Sequence, residues 1–359
     1  MTPSVAPDAK LIADFDARRP AALARAISIV ENQRPGFDAV LGTLHSRIGR
    51  ARRIGITGPP GAGKSTVTTQ LATTYREAGL TVGIVAVDPT SPFTGGALLG
   101  DRIRMESIAL DPGVYIRSLA TRGSLGGLSS ATRAVSDVLD AYGFDRILLE
   151  TVGVGQSELD IARAADTTVV ILVPESGDSI QTLKAGLMEI ADIFVVNKAD
   201  RPGADRIRTD IELMLGMRAG EALRNVPAHH GVDLKKIMNP ARVAREAAAS
   251  DQTETWTPPV LRTVAAKGEG IADLIAALDR HVRYLETSGE LRRRRRQRLR
   301  EQVVDVTEHK FRQRLWRDDG TNAFIDSELP ALEAGTATPF TVAEALLSRS
   351  GHLLTRTRS

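Results

Sequence analysis

The chain has 359 residues, 42% of them hydrophobic and 25% charged, enough apolar material for one core of about 200–250 residues plus extensions. That balance excludes global disorder, and a formal net charge of +3 demands no polyanionic partner. With no cysteine, disulfides, thiolate metal sites, iron–sulfur clusters and cysteine nucleophiles are excluded together.

The N-terminus has neither the basic start nor the apolar segment of a signal peptide, and no apolar run approaches the ~20 residues needed to span a bilayer. A soluble, cytoplasmic chain with no membrane contact is expected. Up to residue 50 the periodicity is helical. Leu23, Ala26, Ile27 and Val30 recur at three- and four-residue steps, Phe37, Val40, Leu41, Leu44 and Ile48 repeat the pattern, and Pro35-Gly36 separates the two. Such amphipathic helices need a surface to cover, which the following domain offers.

From Arg53 short apolar strands alternate with helices. Strands are expected at Ile54–Thr57, Val82–Val87, Val114–Ile116, Ile147–Thr151, Val169–Val173, Ile193–Asn197 and Val260–Ala265. Helices are expected at Ser65–Ala78, Leu128–Tyr142, Ile180–Ile190, Ala204–Leu215 and Ile271–Leu285. Most of the strands are continuous apolar runs, as in a parallel sheet covered on both faces. The order specifies an α/β fold, a doubly wound and mainly parallel sheet whose ligands bind beyond the carboxyl ends of its strands. Past Leu285 the strands stop, and residues 290–318 read as one helix. Arg292 to Arg296 are five consecutive arginines; at 100° steps they point all around the helix, so that turn cannot enter an apolar core. An exposed, projecting helix is expected, possessing no interleaved aromatics of the kind that stack nucleic-acid bases. A short helical pattern surrounds Val342, Ala345, Leu346 and Leu347.

The chemistry lies at the strand ends. Gly58-Pro59-Pro60-Gly61-Ala62-Gly63-Lys64-Ser65 follows a strand and opens a helix. Glycines let successive N–H groups turn inward toward phosphate oxygens, the helix start adds its unpaired amides, Lys64 reaches the β- and γ-phosphates, and the Ser65 hydroxyl can ligate magnesium. Asn197-Lys198-Ala199-Asp200 ends another strand, where the Asp200 carboxylate can accept from N1–H and the exocyclic amine of guanine; adenine offers neither. Ala265-Ala266-Lys267 matches the second base-contacting loop, without its usual serine. Asp88 and Glu150 close strands where P-loop proteins hold the magnesium-associated carboxylate, and Asp101 opens a candidate helix. Glycines at 95, 96, 100, 123, 126 and 127 and the Gly153-Val154-Gly155-Gln156 segment are candidate γ-phosphate sensors, Gln156 as an orienter of water.

With these motifs assembled, the sequence resembles the methylmalonyl-CoA mutase-associated GTPases, the family also labelled ArgK, within the metallochaperone-like P-loop GTPases. GPPGAGKST at 58–66, VAVDPTSP at 85–92, LLGDRIRM at 98–105, LLETVGVGQSE at 148–158, ESGDSIQTLKAGLMEIAD at 175–192, NKAD at 197–200 and KGEGI at 267–271 carry the resemblance. It implies that Gly58 to Thr66 bind the phosphates, that Asn197, Lys198 and Asp200 select the base, and that Lys64, Ser65, Asp88, Asp101 and Glu150 serve metal binding or transition-state stabilisation. It further implies GTP/GDP and Mg2+ as ligands and a partner-sensing segment from Glu175 to Lys184, with Gln181 and Lys184 communicating. The implied protein is a homodimeric GTP-hydrolysing chaperone that assembles, protects or reactivates an adenosylcobalamin-dependent acyl-CoA mutase. The implied organisation is an N-terminal helical extension at 1–50, a P-loop GTPase domain at 51–286 and a C-terminal helical dimerisation arm and tail at 287–359.

Two other readings share the phosphate loop. A nickel-type metallochaperone would need a Cys or His cluster, whereas the 6 histidines are scattered apart from His229-His230. A P-loop kinase would need an acceptor site, and no motif supplies one.

Overall fold

The computed structural model describes residues 8–89, 105–121, 127–151, 157–175, 185–218, 255–349 and 351. Three helices come first: α1 (Ala9–Asp16), capped by the Asp8 carboxylate, α2 (Pro20–Glu31), which opens on its proline, and α3 (Phe37–Leu44). Gly36, at φ 86°, makes the left-handed turn into α3.

The α/β region contains β1 (Arg52–Thr57), α4 (Lys64–Glu77), β2 (Val82–Pro89), β3 (Val114–Thr121), α5 (Gly127–Tyr142), β4 (Arg146–Thr151) and α6 (Ser157–Ala164). It continues with β5 (Thr167–Leu172), α7 (Ala185–Ile190), β6 (Ile193–Asn197), α8 (Ala204–Arg218), β7 (Val260–Thr263) and α9 (Ile271–Thr287). After these come α10 (Glu290–Arg317), α11 (Asp319–Glu333) and α12 (Pro339–Arg349). The seven strands form one sheet in the order β3-β2-β4-β1-β5-β6-β7, with every pair parallel. The expected α/β sheet is therefore present. From β1 the chain runs outward to β2 and β3, returns to β4 beside β1, and crosses β1 to continue outward through β5, β6 and β7. This reversal lies next to β1, whose carboxyl end faces the crevice where such sheets bind ligands.

Each continuous apolar strand divides its side chains between two cores. Ile147 and Leu149 of β4 join α2, α3 and α5 on one face, with Leu23, Ile27, Val40 and Leu139. Leu148 turns the other way, with Ile54 and Ile56, toward Leu71 of α4 and Leu274 of α9. Val170, Leu172, Phe194 and Val196 meet α7 and α8 through Leu187, Ile207 and Ile211. The N-terminal helices thus cover the domain that follows, as their amphipathicity implied.

Several elements exceed the apolar runs that announced them. β2 and β3 extend to Pro89 and Thr121 because the ladder between them runs on through Asp88↔Ala120 and Pro89↔Thr121. β5 starts at Thr167, earlier than expected, and ends at Leu172; its buried threonines are paired, the Thr167 hydroxyl with His281 Nδ1 and the Thr168 amide with the Asp192 carboxylate. β7 ends at Thr263, since Ala265–Lys267 form a single 3₁₀ turn.

The chain divides into two compact units, residues 1–295 and 296–359. The first holds the whole sheet. One group of its buried charges lies at the amino end of β1: the Arg53 guanidinium meets Asp137 at 2.8 Å and Asp140 at 3.0 Å, and Asp140 also accepts from the amides of Gly49, Arg50 and Ala51. In the second unit, Asp318 caps α11 and the Arg349 guanidinium lies 4.5 Å over the Phe324 ring. Among the described residues no helix is long and apolar enough to cross a membrane.

The arginine run requires a correction. Arg294 and Arg295 are not part of an exposed face. Arg294 donates to both oxygens of Asp192 at 2.9 and 3.0 Å and to the Asp166 carbonyl. Arg295 reaches the Asp166 carboxylate at 2.8 Å and the Ala51 carbonyl at 3.1 Å. The 100° argument correctly kept the turn out of an apolar core. The carboxylates of Asp192 and Asp166, just before two strands, accept the guanidinium groups, so ion pairs rather than apolar contacts cover this part of the turn.

Candidate functional site

The phosphate loop leaves β1 at Gly58 and enters α4 at Lys64. Gly58 has φ 139°, and a Cβ there would sit 2.0 Å from the Ile171 carbonyl oxygen of β5, so only glycine fits. Gly63, at φ 86°, is the N-cap of α4, and a Cβ there would lie 2.3 Å from Asn197 Nδ2. Lys64 is 6% exposed; its ammonium donates to the Gly58 and Pro59 carbonyls, both at 2.9 Å, closing the loop on itself. Pro60, Gly61 and Thr66 are exposed, whereas Ala62 is buried.

Ser65, next on α4, donates from Oγ to Glu150 Oε1 at 2.5 Å. Glu150 is 5% exposed near the end of β4, directly beside β1. A hydroxyl and a carboxylate brought together at a strand end form a hard oxygen pair, which suits magnesium better than a softer metal. One residue further along both strands, the hydroxyls of Thr57 and Thr151 are hydrogen-bonded at 3.0 Å.

Asn197 ends β6 and connects three segments. Its Nδ2 donates to the Ala62 carbonyl at 2.9 Å, while its Oδ1 accepts from the Thr263 hydroxyl at 3.0 Å and the Ala265 amide at 3.1 Å. The phosphate loop and the turn after β7 are thus held to one side chain. Lys198 follows at φ 55°, a left-handed conformation uncommon for a residue with a side chain, and turns the chain out of the strand. Asp200 is exposed, 3.6 Å from the ammonium of Lys267, and Ala266 is exposed beside it.

Gly58 to Gly63, Glu150, Asn197, Lys198, Asp200 and Ala265 to Lys267 sit at carboxyl ends of strands or in the loops that leave them, and Lys64 to Thr66 form the first turn of α4. Asp88 closes β2 opposite Ala120, but its side chain lies outside the described residues. Asp101, Gly153 to Gln156, Gln181, Lys184 and His229-His230 also lie outside them. Glu175 is described: it pairs with Arg201, whose hydrogen bond holds its carboxyl below the ordinary glutamate range. Sequence reasoning missed Thr57, Thr151 and Thr263, because an isolated threonine in a strand carries no motif. The polar residues ending otherwise apolar strands were the available signal.

The methylmalonyl-CoA mutase-associated GTPase family model, MeaB, matches residues 23–319. A Pyrococcus horikoshii protein named as a GTPase is 49% identical over 285 residues, covering 79% of this chain and 81% of its own length. The mouse mitochondrial methylmalonic aciduria type A homolog is 32% identical over 305 residues, covering 82% of this chain and 64% of its own length. A crystal structure described as an LAO/AO transport system kinase superposes with a TM-score of 0.62 at 27% identity, covering 95% of this chain and 96% of that one. A phosphate loop on β1, a base motif on β6 and a family match spanning both establish that the chain belongs to the methylmalonyl-CoA mutase-associated GTPases.

Proposed function

We propose that the protein hydrolyses GTP as a chaperone of an adenosylcobalamin-dependent acyl-CoA mutase of the methylmalonyl-CoA type, assembling, protecting or reactivating it. The observation that supports the GTP reading is the Asn197 junction, whose side chain is bonded both to the loop after β1 and to the turn after β7. The mutase follows from the family match.

In this reading Gly58 to Thr66 cradle the phosphates, with loop amides and the start of α4 directed at the anionic oxygens. Lys64 exchanges its two carbonyl partners for phosphate oxygens and counters the negative charge that grows in the transition state. Ser65 and Glu150, with Asp88 and Asp101 as further candidates, would hold magnesium, which would supply positive charge to offset that of the phosphates. Asp200 accepts from guanine while Lys198 and the Ala265 to Lys267 turn border the base. Glu175 to Lys184 report the nucleotide state to the partner, and residues 287–359 form the arm of a homodimer.

The test is GTP hydrolysis by the purified protein with and without a cobalamin-dependent mutase from the same organism. Slow turnover that accelerates with the mutase, with ATP inactive, is the expected result. GTP turnover indifferent to every such mutase would remove the chaperone assignment and leave the GTPase.

A further inference from the structure

The backbone ladder between β1 and β4 runs from Arg52↔Arg146 to Ile56↔Glu150. At the next position β1 is registered with β5 through Thr57↔Val170, and β4 with β2 through Val87↔Thr151. Where the direct pairing of the two strands ends, a bond between side chains takes over: Thr57 Oγ1 and Thr151 Oγ1 are 3.0 Å apart, and both residues are 0% exposed. The pair is framed by the site. Thr57 precedes Gly58, whose carbonyl accepts from Lys64, and Thr151 follows Glu150, whose carboxylate accepts from Ser65.

Packing does not ask for these hydroxyls. Two valines of the same shape would fill the space, and replacing both partners of a buried hydrogen bond by apolar isosteres is close to neutral for stability. A directional bond does what an apolar contact cannot: it fixes the separation of two strand ends within a few tenths of an ångström. Polar partners placed behind a metal-side carboxylate orient it in the same way.

We propose that Thr57 and Thr151 are positioning residues for Glu150. Their hydrogen bond fastens the end of β4 to the end of β1 and so holds the Glu150 carboxylate against Ser65 at the root of the phosphate loop. The inference rests on the reading of Glu150 as the magnesium-side carboxylate of GTP hydrolysis. Both threonines are fully buried and bonded to each other, and the pair acts through the carboxylate beside it.

The decisive variant is the full-length double substitution Thr57→Val/Thr151→Val, which leaves no hydroxyl unpaired and keeps the wild-type melting temperature. Its kcat for GTP is expected to fall about tenfold, with KM within about twofold of wild type. The magnesium concentration needed to retain a fluorescent GDP is expected to rise about tenfold. Thr151→Ser alone, which keeps both hydroxyls of the pair, leaves both quantities at their wild-type values. A double variant with wild-type kcat and wild-type magnesium dependence would overturn the inference, and so would a loss of kcat that follows only a lowered melting temperature. If the wild-type protein hydrolyses no GTP, the functional reading fails, while the magnesium titration of GDP retention still decides the role of the pair.

Discussion

At the scale of single residues, the site depends on a few groups that would be expensive to bury without partners. Lys64 is nearly covered, yet its ammonium has two carbonyl acceptors 2.9 Å away, an arrangement that keeps a cation stable in a closed loop. Lys64→Ala is therefore expected to reduce GTP turnover to background while leaving the circular-dichroism melting curve in place. Persistent turnover would remove residues 58–66 from the catalytic assignment. Asp200 differs because it is exposed, with the Lys267 ammonium 3.6 Å away. Its contribution to folding is small, and its proposed use is recognition. Asp200→Asn is expected to weaken GTP binding by about 1–3 kcal/mol without a matching loss for ATP, measured by competitive nucleotide binding. Equal losses for both nucleotides would refute guanine selection by this carboxylate. Asn197 serves both tasks, since each of its amide atoms is bonded to a different loop.

At the scale of elements, the start of α10 is attached to the sheet by charge rather than by apolar packing. Asp166 and Asp192 stand at the amino ends of β5 and β6, and each receives a guanidinium from the arginine run. Asp192 also faces His281, with Nε2 at 3.3 Å, and its backbone carbonyl accepts from the Trp256 indole. Burial pushes the Asp192 carboxyl up, but the hydrogen bonds and charges of His281 and Arg294 outweigh it and hold the group below the ordinary aspartate range. A carboxyl depressed in the folded state stabilises above its unfolded pKa and loses that contribution as pH falls through its folded value. Asp192→Ala is thus expected to cost about 3 kcal/mol at neutral pH, by urea unfolding, because Arg294 loses one of its two carboxylate partners and the buried Thr168 amide loses its acceptor. The difference from wild type should narrow below about pH 4. A difference that stayed constant down to pH 2 would show that the ion pair is not its source.

At the scale of the whole molecule, two compact units share one chain, and the second displays apolar side chains that its own fold leaves uncovered. Leu299, Val303 and Val306 of α10 are spaced four and three residues apart on one helix face and are 48%, 66% and 46% exposed. Such a stripe is what the proposed homodimer arm would bury. Leu299→Glu/Val303→Glu is expected to convert a dimer to a monomer in light scattering while basal GTP hydrolysis stays at the wild-type rate. A double variant that remains dimeric would move the subunit contact away from this face.

The order of strands and helices, the phosphate loop and the base motif could all be read from the sequence, because each depends on local periodicity or on fixed spacing along the chain. Gly58 through Ser65 needed only their neighbours to be understood, as did the apolar runs of β4, β5 and β6. Relations between distant residues were decided by the tertiary structure alone. Ser65 meets Glu150 across 85 positions, Thr57 meets Thr151 across 94, and Asn197 meets Ala62 across 135. The same holds for Arg294 and Arg295, whose carboxylate partners Asp192 and Asp166 stand 102 and 129 positions away in the chain. Helical periodicity states which way a side chain points, and a parallel sheet brings strand ends together in an order that differs from the order of the chain. The identity of a side chain's partner is therefore a property of the sheet order β3-β2-β4-β1-β5-β6-β7 rather than of any segment within it.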